Sequence, residues 1–486
     1  MKLITPEAGG IPSGAIGRYL RTLEEKGLST HDIIISRGDN ILFEKYYAPF
    51  YPDFLHREYS QSKSIVALAV GFATGEGLVN LDDPIGKYFP DETKNIKDPA
   101  MAAQTVRQML MMSTPKRGQY WFTAQTDDRV RHYFETTVTT AAPGSEYQYD
   151  STGSFILGAM VERVSGMSLV DYLRPRLFDR IGVSEEIKCL KCPGGHSWGD
   201  SAFLAKPRDM MKICRFVLDG GKVNGEQIIP EDYIKDAVKP LISNASEGVR
   251  HCSQGYGYQI WHLYGDGFYF NGMGCQFTVA VPEKDIVFVY NGDNQGIPDA
   301  GAAIINGFYD IIVSAAGDPL PKDRTANDSL NSYAEALVLM SQRGEKFSPI
   351  EKDISGKTYS LSENPMEIGT LSFEFGESII LNWKNAQGDK TLVIGRAENR
   401  FDIFPEEGYS REIGSVYCAG NYYRCASSAV WKDEHTLLCD IQAIDEYFGR
   451  LWMTFVFDGD RISVSMSKTA EDFFSTYSGK AEGKLI

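Results

Sequence analysis

YSQSKSIVALAVGFATGEGLVNLDDPI, residues 59–85, sets a serine and a lysine three positions apart and then runs on apolar. A segment that is apolar on every side marks a buried helix rather than an amphipathic surface one. Gly75 and Gly77 supply its stop signal. On such a helix Ser60 and Lys63 share one face. Burial would lower the lysine pKa, so that a neutral amine could take the serine proton. The SxxK spacing is weak alone, since it recurs at Ser113 to Lys116 and at Ser465 to Lys468. Context separates the three. Ser113 is followed by Pro115 and a polar stretch, and Ser465 lies in a strand pattern, where i and i+3 point to opposite faces. Only Ser60 opens an apolar helix, although in isolation SQSK would read as an N-cap serine and a snorkelling lysine.

Outward from this helix the pattern becomes β. DIIIS (Asp32 to Ser36) and ILFEKYY (Ile41 to Tyr47) are separated by the turn RGDN. FTVAV (Phe277 to Val281) and IVFVY (Ile286 to Tyr290) are joined by PEKD. Between the two hairpins the chain is mostly helical, with FILGAMVERVSG after Ser151 and DMMKICRFVLDGG further on. This predicts an α/β (α+β) architecture, an antiparallel sheet with flanking helices, split by a large helical insertion. Near Gly317 the character changes. DPLPKDRTANDS reads as a linker and SYAEALVLMSQ (Ser332 to Gln342) as a short amphipathic helix. From about Ile350 short strands such as LSFEFG, SIILNW, KTLVIG and LWMTFVFDG recur at regular spacing, as in a small barrel or sandwich. The expected divisions are 1–316, a linker and helix at 317–349, and a β-rich domain at 350–486.

The length of 486 residues exceeds one ordinary core, in keeping with two domains. A net charge of −16 without any basic run argues against nucleic acid and against an anionic membrane surface. No apolar stretch of membrane-spanning length occurs, and the N-terminus, broken by Pro6, Gly9, Gly10 and Pro12, lacks the apolar core of a signal peptide. If the chain is full length, a cytoplasmic location follows. Eight cysteines suit a reducing compartment. Cys189 and Cys192 form the one CxxC, which His196 could complete as a metal half-site; plain loop cysteines are the simpler reading, and no cofactor or metal is called for.

Two further groups carry chemistry. Tyr149-Asp150-Ser151 comes after the turn Pro143-Gly144 and precedes a helix; a tyrosine hydroxyl held near a cation can shuttle protons. Phe270-Asn271-Gly272-Met273, then Gly274-Cys275-Gln276, opens the late hairpin. Glycines there would let a substrate lie against a strand edge and a backbone N–H face an oxyanion. Neither group is specific by itself. Gly195-His196-Ser197-Trp198-Gly199 is a rival GxSxG motif, but CLKCPG before it is no apolar strand, and Pro207 interrupts the segment after it. It reads as a glycine-rich loop bordering the site.

The three groups, in this order, resemble the serine β-lactamase and penicillin-binding-protein superfamily, in the branch of class C β-lactamases, family VIII carboxylesterases and 6-aminohexanoate-dimer hydrolases. The likeness runs from about His31 to Asn294 and includes EKYYAPF, TVRQMLMMST, PGSEYQYDSTGSFILGAMVERVSG and GYGYQIW. It implies the family's α/β sandwich. It also implies Ser60 as the nucleophile of an acyl-enzyme, Lys63 as base, Tyr149 as acid/base partner, and an oxyanion hole from the N–H groups of Ser60 and a residue near Met273. Two departures narrow the substrate. Ser151 stands where the family has asparagine, and Phe270-Asn271-Gly272 stands where it has KTG or HxG. The missing cation helps β-lactamases and DD-peptidases hold a carboxylate, a contact worth about 1.5–3 kcal/mol. A small ester, amide or peptide is therefore expected as substrate, and Gln276, similar to a glutamine of the amide-hydrolysing branch, keeps amides open. The alternatives are an inactive binding protein and a β-lactamase or DD-peptidase proper. In related enzymes an appended β domain can wall the site or hold subunits together, which leaves a homo-oligomer open.

Overall fold

The computed structural model describes residues 1–114, 126–136, 140–414, 416–469 and 474–486. They form two compact units, Met1–Leu337 with Glu412–Gly414, and Val338–Arg411 with Ser415–Ile486.

The first unit is built on a seven-stranded sheet of β1 (Lys2–Leu3), β2 (Thr30–Arg37), β3 (Asn40–Tyr46), β4 (Trp261–His262), β5 (Phe268–Gly272), β6 (Gln276–Val281) and β7 (Ile286–Gly292), in the order β1-β3-β2-β7-β6-β5-β4. All neighbours are antiparallel except the short β1–β3 edge pair. Both expected hairpins are present, with Ile35 opposite Phe43 and Val279 opposite Phe288. The hairpins join through β2 and β7, where Ile34 faces Val289. The chain between them is therefore an insertion into one continuous sheet, as the β-rich runs at its two ends imply.

Strand alternation sends Ile33, Ile35, Val279, Val281, Phe288 and Tyr290 into one core with helix α1 (Ser13–Glu25) and Ile304 of a later helix. The insertion supplies helices α2 (Ser62–Gly75), α3 (Ser151–Ser165) and α4 (Pro207–Leu218). Every residue of α2 from Ser62 to Ala73 is buried, as a run apolar on all sides requires. α3 approaches α2 closely at Gly158, where an added Cβ would sit 3.7 Å from Val66.

The stretch read as a linker is partly helical. Asp323 accepts a hydrogen bond from the Ala326 N–H (2.9 Å) and so caps a helix over Arg324–Ala336. Leu330 and Ala334 bury one side of this helix, and Asn327 reaches Ser13 of α1 (3.3 Å). The helix thus begins eight residues before Ser332 and ends at Ala336, short of Gln342. Prolines 319 and 321 precede the cap rather than break the helix.

The second unit is a β-barrel of strands Thr358–Leu361, Thr370–Phe375, Ile379–Asn385, Gly388–Arg396, Tyr417–Trp431, Thr436–Ile444, Phe448–Asp458, Arg461–Thr469 and Gly479–Leu485. Gly395 and Arg396 pair with Ser428 and Ala429, which closes a nine-strand ring, while strand Arg400–Tyr409 pairs outside the ring along Tyr417–Trp431. The period-two pattern is plain in Phe448–Asp458, where Leu451, Met453, Phe455 and Phe457 are buried and Val456 is exposed. Of the two expectations, small barrel or sandwich, the barrel is the outcome.

Candidate active site

The segment of Ser60 enters α2 through a short 3₁₀ turn, Tyr59–Gln61. Tyr59 is held at φ +45°, a left-handed conformation unfavourable for a bulky residue. Its ring lies 4.5 Å from the Arg57 guanidinium, and Gln61 donates to the carboxyl of Glu58 (2.6 Å). Glu58 is fully buried, and burial pushes its carboxyl well above the usual range, with Asp32 and Asp209 adding to the shift. This framework places Ser60, a half-buried residue, beside a lysine that is only 1% exposed.

Lys63 Nζ donates to Ser60 Oγ at 2.8 Å and to the backbone carbonyl of Asp200 at 2.7 Å. The same Nζ lies 5.2 Å from the ring centroid of Tyr149. Tyr149 stacks on Trp261 (5.7 Å, 30°), which meets Tyr256 edge-on at 5.2 Å. Ser151, two residues on, is buried at the first turn of α3. Just before it, Asp150 accepts from Thr114 Oγ (3.0 Å), and its own N–H reaches Met112 Sδ (3.2 Å), so TVRQMLMMST braces the tyrosine segment.

GYGYQIW ties the two helices together. The Gln259 carbonyl accepts from Ser64 Oγ of α2 (2.8 Å), and its side-chain oxygen accepts from Ser154 Oγ of α3 (2.5 Å). Its amide nitrogen donates to Met109 O (2.9 Å). Sequence reasoning gives Gln259 no role of its own. The buried fork it makes needs a polar residue inside an aromatic run, and that is the signal its sequence carried.

The third group meets the Ser60 turn through backbone. A Cβ on Gly272 would lie 2.4 Å from the carbonyl oxygen of Glu58, so only glycine lets the end of β5 close against the residues before Ser60. The turn then passes through Met273, 41% exposed, and through Gly274 and Cys275 at φ +79° and +71°. Phe270 is fully buried, with its ring 6.5 Å from that of Phe268. Gln276, expected from the sequence beside the substrate, is placed at the base of this turn. It is fully buried and its amide is taken up by backbone, donating to Met273 O (3.0 Å) and Gly292 O (2.5 Å) and accepting from Gly292 N–H (3.2 Å). These bonds shape the turn and occupy both N–H groups of the amide.

Gly195–Gly199 forms no strand-turn-helix elbow. Ser197 is buried in a loop stapled to Glu162, which accepts from the Ser197 N–H (3.2 Å) and pairs with His196 Nδ1 (2.7 Å). Cys189 and Cys192 are free thiols, both raised by burial, and no group of three or more metal-ligand side chains occurs among the described residues. Lys116, of the second SxxK match, lies outside the described residues. The third match sits in strand Arg461–Thr469. Among the described residues no helix is long and apolar enough to cross a membrane.

Comparison with known proteins gives a consistent picture. A family model described as Beta-lactamase matches residues 16–300, more than half of the chain. The chain is 24% identical over 250 residues to the 6-aminohexanoate-dimer hydrolase of Paenarthrobacter ureafaciens, covering 48% of this chain and 64% of that one. It is 23% identical over 242 residues to an uncharacterized protein of Alkalihalophilus pseudofirmus, covering 44% and 66%. The chain thus spans just under two thirds of the length of these relatives. Among solved structures, the octameric penicillin-binding protein homologue of Pyrococcus abyssi matches with a TM-score of 0.50 at 16% identity, over 97% of this chain and 99% of that one. EstCE1, a hydrolase with promiscuous acyltransferase activity, matches with a TM-score of 0.51 at 14% identity, over 61% and 99%. At such identities the likeness speaks for the fold alone. With the family model spanning the sheet and its helical insertion, the chain belongs to the beta-lactamase family, within the serine β-lactamase and penicillin-binding-protein superfamily.

Proposed function

We propose that the chain is a serine hydrolase that cleaves small, uncharged esters or amides through an acyl-enzyme on Ser60. The observation that carries this reading is the 2.8 Å contact between Lys63 Nζ and Ser60 Oγ, made by a buried lysine with Tyr149 beside it. Ser60 Oγ attacks the substrate carbonyl while its proton passes to Lys63 Nζ. The N–H groups of Ser60 and of a residue near Met273 receive the oxyanion. Tyr149 delivers a proton to the leaving alkoxide or amine, and water then enters by the reverse path and releases the acid. Ser151 contacts the bound substrate from the head of α3.

The buried phenyl of Phe270 supports a neutral substrate, because it leaves an apolar side chain where a carboxylate-binding cation would stand. The relation to a 6-aminohexanoate-dimer hydrolase supports keeping amides within the range. A panel of p-nitrophenyl esters, D- and L-amino-acid anilides and nitrocefin, run on wild type and Ser60→Ala, tests the reading. Ester turnover should exceed nitrocefin turnover, and Ser60→Ala should abolish both. Rapid nitrocefin hydrolysis would overturn the assignment of a neutral substrate. A homo-oligomer is also proposed, on the strength of the octameric homologue that spans nearly the whole chain; light scattering that shows a monomer would refute it.

A further inference from the structure

Lys63 is held from a second side by a loop that its own motif does not announce. Trp198 is fully buried, with the Arg57 guanidinium 4.7 Å and the Arg129 guanidinium 4.6 Å from its ring. Arg57 also donates to the carbonyl (3.0 Å) and hydroxyl (3.3 Å) of Ser201. The two arginines thus clamp the loop on both sides of Asp200.

Asp200 is 0% exposed, and its carbonyl accepts from Lys63 Nζ at 2.7 Å. Among the described residues, neither oxygen of its carboxyl group takes a hydrogen bond from another residue; the one hydrogen bond that acts on the carboxyl comes from its own backbone N–H. A buried carboxylate kept as a structural counter-ion is ordinarily tied down by hydrogen bonds. This one instead faces three basic side chains, Lys63 from α2, Arg129 from helix Arg129–Glu135 and Arg57 from strand His56–Arg57, without a hydrogen bond to any of them. The Cys189 thiol, from strand Lys188–Cys189, is raised by burial and by Glu162 and Asp200, and so stays uncharged. Burial pushes the Asp200 carboxyl up to about 6, against the pull of Lys63 first and then of Arg129.

We infer that Asp200 is a positioning residue for the Ser60–Lys63 pair, whose carboxylate balances the positive charge that Lys63 takes up with the serine proton. The inference rests on the acyl-enzyme reading above. The proton moves from Oγ to Nζ as the Oγ–carbonyl bond forms, and Asp200 remains ionised throughout. The raised carboxyl sets the direction of the pH effect. Above pH 6 the carboxylate is present and acylation is supported. As pH falls through 6 it is protonated and the support is lost.

The test is the rate at which a fluorophosphonate labels the full chain, followed from pH 5 to 9 and paired with kcat and KM for a p-nitrophenyl ester. Asp200→Asn keeps the carbonyl and the shape but removes the charge. It should lower labelling and kcat at pH 8 by about tenfold or more, leave KM within about threefold, and abolish the decline below pH 6. Arg129→Gln removes one cation without touching Ser60 or Lys63, and should move the midpoint of that decline upward by about half a pH unit or more. An Asp200→Asn protein with wild-type rates and an unchanged pH profile overturns the inference. Should that variant fail to fold, an unshifted midpoint in Arg129→Gln overturns it instead. Failure of the underlying reading looks different, because Ser60→Ala would then take the label as fast as wild type, and the inference would fall with it.

Discussion

Two fully buried aspartates show how differently the two units treat charge. In the barrel, Asp440 receives Arg450 through two contacts, 2.5 Å and 3.3 Å, with both side chains almost completely enclosed. Glu351 is likewise tied to Arg396 (2.7 and 3.1 Å) and to the Trp431 indole (2.6 Å). In the sandwich, Asp200 lies among basic side chains without a hydrogen bond from any of them to its carboxyl, and Glu58 carries a carboxyl raised by burial two residues before Ser60. Buried charges that are fully paired serve architecture, because nothing is gained when either partner changes protonation state. Buried groups held short of full pairing can exchange protons at little structural cost, which is what a reacting hydroxyl needs from its neighbours. Under the proposed mechanism, the contrast separates a buried carboxylate tied fully to its partner from one left free to answer a proton transfer at Lys63.

The sharpest way to break that contrast is Ser60→Ala. It removes the group that Lys63 addresses, and turnover of any ester substrate should fall by about 10³-fold or more, measured as kcat/KM, with the melting temperature unchanged or slightly raised. Asp440→Ala is its mirror image. Leaving Arg450 buried and unpaired should destabilise the barrel by about 3–5 kcal/mol, seen in denaturant unfolding, while kcat per folded molecule stays at the wild-type level. Asp440→Leu combined with Arg450→Met should recover most of that loss. If catalysis instead falls with Asp440→Ala in protein that is still folded, the barrel is part of the chemistry and the contrast fails.

Gly272→Ala probes the backbone side of the site. The new Cβ would meet the Glu58 carbonyl at 2.4 Å, and neither backbone can move freely. Pushing β5 away from the nucleophile turn by even part of an ångström should lower kcat by about 10–100-fold, with a smaller change in KM. A wild-type kcat in this variant would show that the end of β5 does not face the reacting carbonyl.

Much of this was legible in the chain because the signals were local. The apolar run behind Ser60, the two β-rich hairpins and the tyrosine before α3 each declare themselves within a dozen residues. What was not legible depends on partners far along the chain. Gln276 looks like a free amide until Gly292 is placed beside it, and its hydrogen bonds to that backbone are set by strand pairing rather than by local pattern. Helix Arg324–Ala336 was hidden by polar residues and prolines, and is revealed by the Asp323 cap and by the burial of Leu330 and Ala334. Asp200 was missed for a related reason. The only motif near it, GxSxG, points to Ser197, three residues away, whereas the clamp formed by Arg57 and Arg129 needs residues about 70 positions or more distant in the sequence.

That near miss yields the mildest prediction. Ser197→Ala deletes the hydroxyl of the rival motif while leaving the backbone N–H that donates to Glu162 (3.2 Å) and the His196 contact to the same carboxylate (2.7 Å). The loop keeps both of its staples, so Asp200 should keep its contact with Lys63. Activity should stay within about threefold of wild type, and stability should drop by no more than about 1 kcal/mol for one buried hydroxyl. Ester turnover that vanished in Ser197→Ala and survived in Ser60→Ala would reverse the roles of the two serines. A fall in kcat with both serines required would instead mean that the loop is tuned more finely than its backbone bonds suggest, and that the carboxylate of Asp200 feels changes three residues away.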